Sequence, residues 1–368
     1  LHRLIRRQRQ MCIRDSPNMI PDKLKDYLEA PFVWFIELIF EIIVEIGLWI
    51  KWKKYLFISL VFENKYVVKT TEFIKDILIY TLSVGPIPKH VSFIMDGNRR
   101  YARSQRVSLQ MGHEAGGKTL LTLVYICKKI GVKCVSCYAF SIENFKRPKI
   151  EVDTLMELFA VKLDEFAARA NDYKDPLYGS KLKIVGDSKL LSKEIREKVK
   201  VVESLTSKGE LFILFVCLPY TSRNDIHRSM CKSVLKVLKT KEENKKFTLT
   251  PTTLSQEMYL EEFSDKCDVV IRTSGHKRLS DYMLWQSHQN ATIEFSNSLW
   301  PDFAFFEMYI MLLKWSFFQN IQIQRGSLFS LKSHIRSRCK LFVNKEVNVN
   351  YFDLPEPPRA VSVTEKKG

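Results

Sequence analysis

The chain has 368 residues, 46% of them apolar and 27% charged, with 13 glycines and 13 prolines. That length and balance provide for a buried core and exclude collagen-like, low-complexity and disordered classes. With 58 lysines and arginines against 41 acids the net charge is +17, which favours an anionic partner: nucleic acid, a phosphorylated metabolite or an acidic membrane surface.

Residues 1–18 are read as a non-native or disordered leader. Leu1 to Ser16 carries five arginines, has no apolar period and contains a Met-Cys-Ile-Arg-Asp-Ser string resembling translated adapter sequence, so it is set aside and Met19 becomes the candidate start. Residues 19–85 form the next region, expected to be amphipathic and membrane-associated. From Phe32 to Ile50 there are 19 residues, 13 of them Leu, Ile, Val or Phe. That is close to a bilayer span, but Glu37, Glu41 and Glu45 interrupt it at roughly 3 kcal/mol each, which cancels the apolar gain. Four-residue spacing puts the acids on one stripe of a helix. Lys51, Trp52, Lys53, Lys54 and Tyr55 follow, then a second apolar run from Leu56 to Phe62, a pattern suited to a headgroup boundary. Surface attachment, packing on the protein's own core or on a partner, and a true span remain the three readings of this region.

From residue 86 to 322 the pattern predicts one domain. Short β-rich runs stand at Val91–Met95, Cys134–Phe140, Leu182–Val185, Phe212–Leu218, Asp268–Ile271 and Thr292–Phe295. Helical segments lie between them at Glu114–Ile130, Glu151–Asn171, Ser188–Thr206 and Asp225–Lys239, with another near Leu254–Phe263. The alternation implies an α/β fold, a single domain with a central, largely parallel six-stranded sheet flanked by helices. Residues 323–368, with three prolines between Leu354 and Pro358, read as a C-terminal extension. Of the 8 cysteines, Cys127, Cys134, Cys137 and Cys217 fall in apolar runs and are expected to be buried thiols in a reducing compartment. Cys134 and Cys137 make one CxxC, but no partner pair stands at zinc spacing, so it is read as structural.

Ligands of such sheets bind beyond the carboxyl ends of the strands, and polar, basic runs stand there. Asp96-Gly97-Asn98-Arg99-Arg100 follows the first strand: a glycine that lets backbone approach a ligand, guanidiniums that fork around phosphate oxygens, and a carboxylate able to hold Mg²⁺ against them. The bland reading is an ordinary Asp-Gly-Asn turn. Gly112-His113-Glu114 opens a helix, where an imidazole faces an anion or merely caps. Ser141-Ile142-Glu143-Asn144-Phe145-Lys146-Arg147-Pro148 and Arg272-Thr273-Ser274-Gly275-His276-Lys277-Arg278-Leu279-Ser280 follow two further strands. Glu294, an acid inside an apolar strand, calls for a metal or cation partner, or lies at a sheet edge.

These motifs, with Trp300-Pro301-Asp302-Phe303, resemble in kind and order the signature motifs of the cis-prenyltransferases over residues 86 to 320, in particular the fungal dehydrodolichyl diphosphate synthase catalytic subunits. The resemblance implies repeated condensation of isopentenyl diphosphate onto an allylic, farnesyl-type diphosphate, giving a long polyprenyl diphosphate for dolichol synthesis. It implies Mg²⁺, held by Asp96 with support from Glu294, and Asp96 and Asn144 as catalytic residues. Gly97, Asn98, Arg99, Arg100 and His113 would surround the allylic diphosphate, and Tyr101 is counted with the substrate-binding residues. Ser141, Asn144 and Arg147 would lie between the substrates, Phe140, Glu143 and Phe145 are counted with the substrate-binding residues, and Arg272, Arg278 and Ser280 would bind isopentenyl diphosphate. An apolar tunnel for the product is implied, with Leu155, Met156, Leu158, Phe159, Leu163 and Phe166 as candidate wall residues. No DDxxD motif of the trans-acting class occurs.

Two departures stand out. His276 replaces the acid usual after Thr-Ser-Gly, and the Arg-x-Gly motif of homomeric members is replaced by Gln324-Arg325-Gly326-Ser327. The latter implies a heteromer with a Nogo-B-receptor-type accessory subunit. The expected location is the cytosolic face of the endoplasmic reticulum membrane or lipid droplet surface. The competing classes are a non-catalytic accessory subunit of the same fold and a basic nucleic-acid-binding protein; scattered charge and the lack of a zinc-finger or RNA-recognition signature argue against nucleic acid.

Overall fold

The computed structural model describes residues 35, 38–46, 65–242, 249–289 and 291–338, with backbone course only for 65–72, 240–242 and 324–338. The expected leader, the Lys51–Tyr55 and Leu56–Phe62 segments and the tail from residue 339 lie outside those residues. The chain divides into two compact units, residues 1–320 and Ile321–Gly368.

The first unit is built on six strands: β1 His90–Ile94, β2 Cys134–Tyr138, β3 Ser180–Val185, β4 Phe212–Cys217, β5 Val269–Arg272 and β6 Thr292–Phe295. All five pairings are parallel, in the order β3-β4-β2-β1-β5-β6. The central strands are mostly apolar because both sheet faces are covered, and their buried Ser92 and Ser136 hydrogen-bond each other at 2.8 Å. Val91, Phe93, Val135, Cys137, Leu214, Val216 and Ile271 point to one core cluster, and Ile94, Cys134, Phe215, Cys217 and Val270 to the other. The two-residue period therefore sends Cys134 and Cys137 to opposite faces, which rules out a shared ligand and leaves both as buried free thiols. From β1 the chain first builds toward β2 and the far edge, then returns to place β5 on the other side of β1. The switch point between β1 and β5 is where an open sheet offers a crevice.

The helices are α1 Lys65–Val84, α2 Asn98–Ser104, α3 Leu109–Ile130, α4 Lys149–Asn171, α5 Lys193–Leu205, α6 Ser222–Glu242, α7 Pro251–Ser255, α8 Leu284–Ser287 and α9 Phe305–Arg338. Ser108 Oγ accepts from Met111 N at 3.2 Å to start α3, and Gly131 ends it with φ 106°. The helix expected over Ser188–Thr206 begins instead as a 3₁₀ turn and restarts at α5, because Ser192 Oγ caps Ile195 N at 3.3 Å. Although α1 precedes the boundary expected at residue 86, it contributes Ile79 and Leu82 to the core, and Thr81 Oγ1 lies 2.9 Å from Tyr309 Oη. Residues 38–46 are helical, with Phe40, Ile43 and Val44 packed on the core while Glu41, Ile42, Glu45 and Ile46 are exposed. Glu41 and Glu45 of the acidic stripe thus face solvent, Glu37 lies outside the described residues, and part of the apolar surface meets the protein's own core. Among the described residues no helix is long and apolar enough to cross a membrane.

Candidate active site

Every polar motif that follows a strand arrives at one end of the sheet. Asp96 stands two residues beyond β1 and is pinned by backbone: Trp300 N donates to Asp96 O at 3.1 Å, and Thr273 Oγ1 donates to the same oxygen at 2.7 Å. Gly97 turns the chain with φ 116°, and a Cβ there would lie 3.1 Å from Leu299 and Trp300 backbone, so only glycine lets α2 begin immediately after Asp96. Residues 98–104 are accordingly a short helix rather than the turn that Asp-Gly-Asn suggests.

Arg272 ends β5 with only 3% exposure. Its Nη2 donates to Asp96 Oδ2 at 2.8 Å, and its Nη1 donates to Ser280 Oγ at 2.7 Å and to Arg278 O. Arg100 Nη2 lies 3.8 Å from Asp96 Oδ1 and donates to Ser274 O at 3.1 Å. His276 Nδ1 is 3.3 Å from Asp96 Oδ2 and 3.1 Å from Arg100 Nη2, so the departure from the usual acid sits directly on this cluster. One carboxylate is thereby held among two guanidiniums and an imidazole.

Across the crevice, Ser141 Oγ accepts from Glu143 N at 3.2 Å and starts the 3₁₀ turn Ile142–Lys146 that carries Asn144. Glu151 on α4 gathers two arginines, Arg147 Nη1 at 2.8 Å and Arg99 Nη1 at 3.8 Å from Oε1. Burial pushes the His113 imidazole down to about 4, with Arg147 and Arg99 adding to the effect and Glu151 opposing it. His113 is therefore neutral at pH 7. Its Nε2, Asn98 Oδ1 and Arg272 Nε are buried without a hydrogen-bond partner.

Two cavities share this rim. The smaller, about 410 Å³, is lined by five arginines (99, 100, 103, 147 and 278), His113 and His276, with Asp96 the single carboxylate. The larger, about 730 Å³, passes from Asp96, Asn98, Arg99, Phe140, Ser141, Glu143, Asn144, Arg147, Arg272, Arg278 and Ser280 into an apolar interior between α3, α4 and the sheet. All six wall residues expected on α4, Leu155, Met156, Leu158, Phe159, Leu163 and Phe166, line it. A charged mouth with an oily interior suits a ligand that is an anion at one end and a hydrocarbon at the other.

Three expected residues stand elsewhere. Glu294 pairs with Ile271 in register, so its side chain leaves the sheet on the face covered by α9, where Lys314 Nζ is 3.3 Å from Oε1, and it lines neither cavity. Phe145 packs edge-on against Phe140 with centroids 4.9 Å apart, behind the cavity wall. Tyr101 is not among the residues lining either cavity. Sequence reading missed Glu151, which gathers the two arginines, and Arg223 and Asp281, which line the larger cavity. Arg223 carried a usable signal, since it follows β4 in a polar run, Tyr220-Thr221-Ser222-Arg223, of the kind found after β1, β2 and β5.

A single carboxylate with 31% of its side chain exposed, opening on an arginine-lined cavity, fits a divalent cation that takes its remaining ligands from a diphosphate. Among the described residues no group of three His, Cys, Asp or Glu side chains forms a cage of its own.

Residues 94–321 match the prenyltransferase family model described as undecaprenyl diphosphate synthase. The chain belongs to that family, the cis-prenyltransferases. It is 59% identical over 292 residues to the Saccharomyces cerevisiae dehydrodolichyl diphosphate synthase complex subunit SRT1, covering 79% of this chain and 84% of that protein. It is 35% identical to the human dehydrodolichyl diphosphate synthase complex subunit DHDDS over 63% of this chain and 68% of that one. The crystal structure of lavandulyl diphosphate synthase from Lavandula x intermedia with dimethylallyl diphosphate superimposes with a TM-score of 0.56 at 26% identity, covering 62% of this cis-prenyltransferase and 95% of the plant chain.

Proposed function

We propose that this cis-prenyltransferase condenses isopentenyl diphosphate repeatedly onto an allylic diphosphate of the farnesyl type and releases a long polyprenyl, dehydrodolichyl-type diphosphate. The observation that carries this reading is the larger cavity, with Arg99, Arg147, Arg272 and Arg278 at its mouth and an apolar interior, sharing its rim with the smaller arginine-lined one. In each cycle the C1–O bond of the allylic substrate breaks, its electron pair leaving with diphosphate. C1 joins the terminal alkene carbon of isopentenyl diphosphate, and a proton is lost. Arg99 and Arg100, with Asn98 and the backbone at Gly97, bind the allylic diphosphate and meet the charge that develops as it leaves. His113, neutral and with an unpartnered Nε2, serves that diphosphate through a hydrogen bond rather than a charge. Arg272, Arg278 and Ser280 hold isopentenyl diphosphate, and Asn144 handles the departing proton. Asp96 is the residue that would hold Mg²⁺, which supplies charge neutralisation on the leaving diphosphate.

The heteromer is part of the same proposal. Support comes from relatives named as complex subunits and from the sequence Gln324-Arg325-Gly326-Ser327 in place of Arg-x-Gly; those four residues fall in α9, with their side chains outside the described residues. Attachment to a membrane surface, endoplasmic reticulum or lipid droplet, is supported by exposed Phe35, Ile42 and Ile46 beside the Lys51–Tyr55 sequence, and by Phe73, Ile77, Tyr80 and Val84 on one side of α1.

The test is incorporation of radiolabelled isopentenyl diphosphate with farnesyl diphosphate and Mg²⁺ by the chain alone and with an accessory subunit. Long polyprenyl product only in the complex supports the whole reading. Product from the chain alone keeps the activity and removes the partner, and no product from either overturns the activity.

A further inference from the structure

The loop that follows β5 is held in an unfavourable backbone shape from outside. Ser280, Asp281 and Met283 have φ of 53°, 58° and 50°, none of them glycine, a region in which Cβ crowds the carbonyl oxygen. Such a run persists only where neighbours over-determine it. One anchor is Tyr282, fully buried, its ring stacked on Tyr138 with centroids 4.4 Å apart and its hydroxyl accepting from Ser92 Oγ at 2.8 Å.

The other anchor is Asp281. Its main-chain oxygen accepts from Ser222 N at 2.8 Å, its Oδ1 from Arg223 N at 3.1 Å and its Oδ2 from Arg223 Nε at 2.7 Å. Ser222 returns the contact, its Oγ accepting from Leu284 N at 2.9 Å. Asp281 therefore caps the first turn of α6 from a different part of the chain, satisfying two of the amides that a helix leaves open and placing an anion at its positive end. Between these anchors and β5 lie the two groups that grip Arg272 Nη1, Ser280 Oγ and Arg278 O.

We infer that Asp281 is a positioning residue: by clasping the start of α6 through Ser222 and Arg223, it fixes the 278–283 loop so that Arg272, Arg278 and Ser280 converge on one diphosphate. This rests on the assignment of those three residues to isopentenyl diphosphate. Asp281 itself is mostly covered, with 14% of its side chain exposed, whereas Arg223 is 74% exposed and open to substitution without loss of core.

The experiment compares steady-state incorporation by the full chain, in the assembly that turns over, for wild type, Asp281→Ala, Asp281→Asn and Arg223→Ala, with KM measured separately for the two substrates. Asp281→Ala raises the KM for isopentenyl diphosphate by about tenfold and leaves that for farnesyl diphosphate within about twofold. Asp281→Asn recovers most of the loss, because its amide oxygen still accepts from Arg223 N. Arg223→Ala gives a rise of about threefold, since the backbone bonds stay. A purely structural role would lower the melting temperature and the active fraction while leaving both KM values in place, and that result overturns the inference, as does an equal rise in both. If Asp281→Ala does not fold, an unchanged isopentenyl KM in Arg223→Ala overturns it. Lack of turnover by wild type instead overturns the functional reading on which it rests.

Discussion

Arg272 and Asp96 are 176 residues apart in the chain and 2.8 Å apart in the fold, Nη2 donating to Oδ2. The contact exists because β5 returns to pair with β1, Ile94 facing Arg272 in register. Arg272 thereby ties the carboxylate after β1 to the loop after β5, and the two diphosphate sites proposed above share one guanidinium at their boundary.

Arg272→Lys keeps the charge but loses the planar fork that reaches Asp96 and Ser280 together. Turnover is expected to fall by about 100-fold, the scale of one preorganised donor to a developing anion. Radiolabelled incorporation at saturating substrates checks it.

Asp96→Ala is expected to abolish product formation by a factor of about 1000, and chelation of divalent cations from wild type to do the same. Chelation leaves the pair between Asp96 and the buried Arg272 in place and should move the melting temperature by no more than a few degrees, whereas Asp96→Ala strips that guanidinium of its carboxylate and should lower it further. Parallel incorporation and thermal denaturation separate the two effects.

Stability should fall as pH drops from 6.5 toward 4. His90 is buried with Nε2 2.8 Å from Ser136 Oγ, and burial pushes its imidazole down to about 4, as it does for His113. A depressed folded-state value means that the unfolded chain takes up the proton first, so stability is lost as pH falls through this window, by about 3 kcal/mol for a fully buried histidine. Asp225, pushed up to about 6 by burial, works in the opposite sense between about 4 and 6. Two histidines against one aspartate leave a net loss. Urea denaturation at pH 7 and pH 5 measures it, and His90→Gln should flatten the dependence.

Gly116→Ala places a methyl 2.3 Å from Asn98 Oδ1 and 2.8 Å from Trp300 Cδ1. It also strains the bond from Trp300 Nε1 to Gly116 O, now 2.8 Å. A destabilisation of about 1–3 kcal/mol is expected, with a raised KM for the allylic diphosphate as Asn98 is displaced. Denaturant titration and substrate kinetics together test the two parts.

Val216 on β4 faces the apolar interior. Val216→Phe should narrow it and shift products toward shorter chains without changing the first condensation. Chromatographic separation of the dephosphorylated products is the readout.

Strand positions were legible because a buried parallel strand reads as a short apolar run, and a polar motif just after it falls at the ligand-binding edge whatever the helices do. The six cavity residues on α4 read from spacing only as an apolar helical stripe, equally suited to core, and their place in a tunnel wall came from the family resemblance. Helix α2 was not, since Asp-Gly-Asn is compatible with a turn and only the close approach of Leu299 shows why the glycine is there. Nor was α9, whose opening residues, Phe305 to Phe318, are apolar on nearly every side and give no period to detect.

Sequence alone determined the α/β class, the strand ends and the chemical character of each motif, all properties of neighbouring residues. Tertiary structure decided which motifs meet. It joined Asp96 to Arg272 through the β1–β5 pairing, gave Glu294 to Lys314 on the opposite sheet face, sent Cys134 and Cys137 apart, and brought Asp281 onto the first turn of α6. Each depends on strand order and on the two-residue alternation of side chains across a sheet, and strand order is set by the packing of the whole domain rather than by any local stretch of chain.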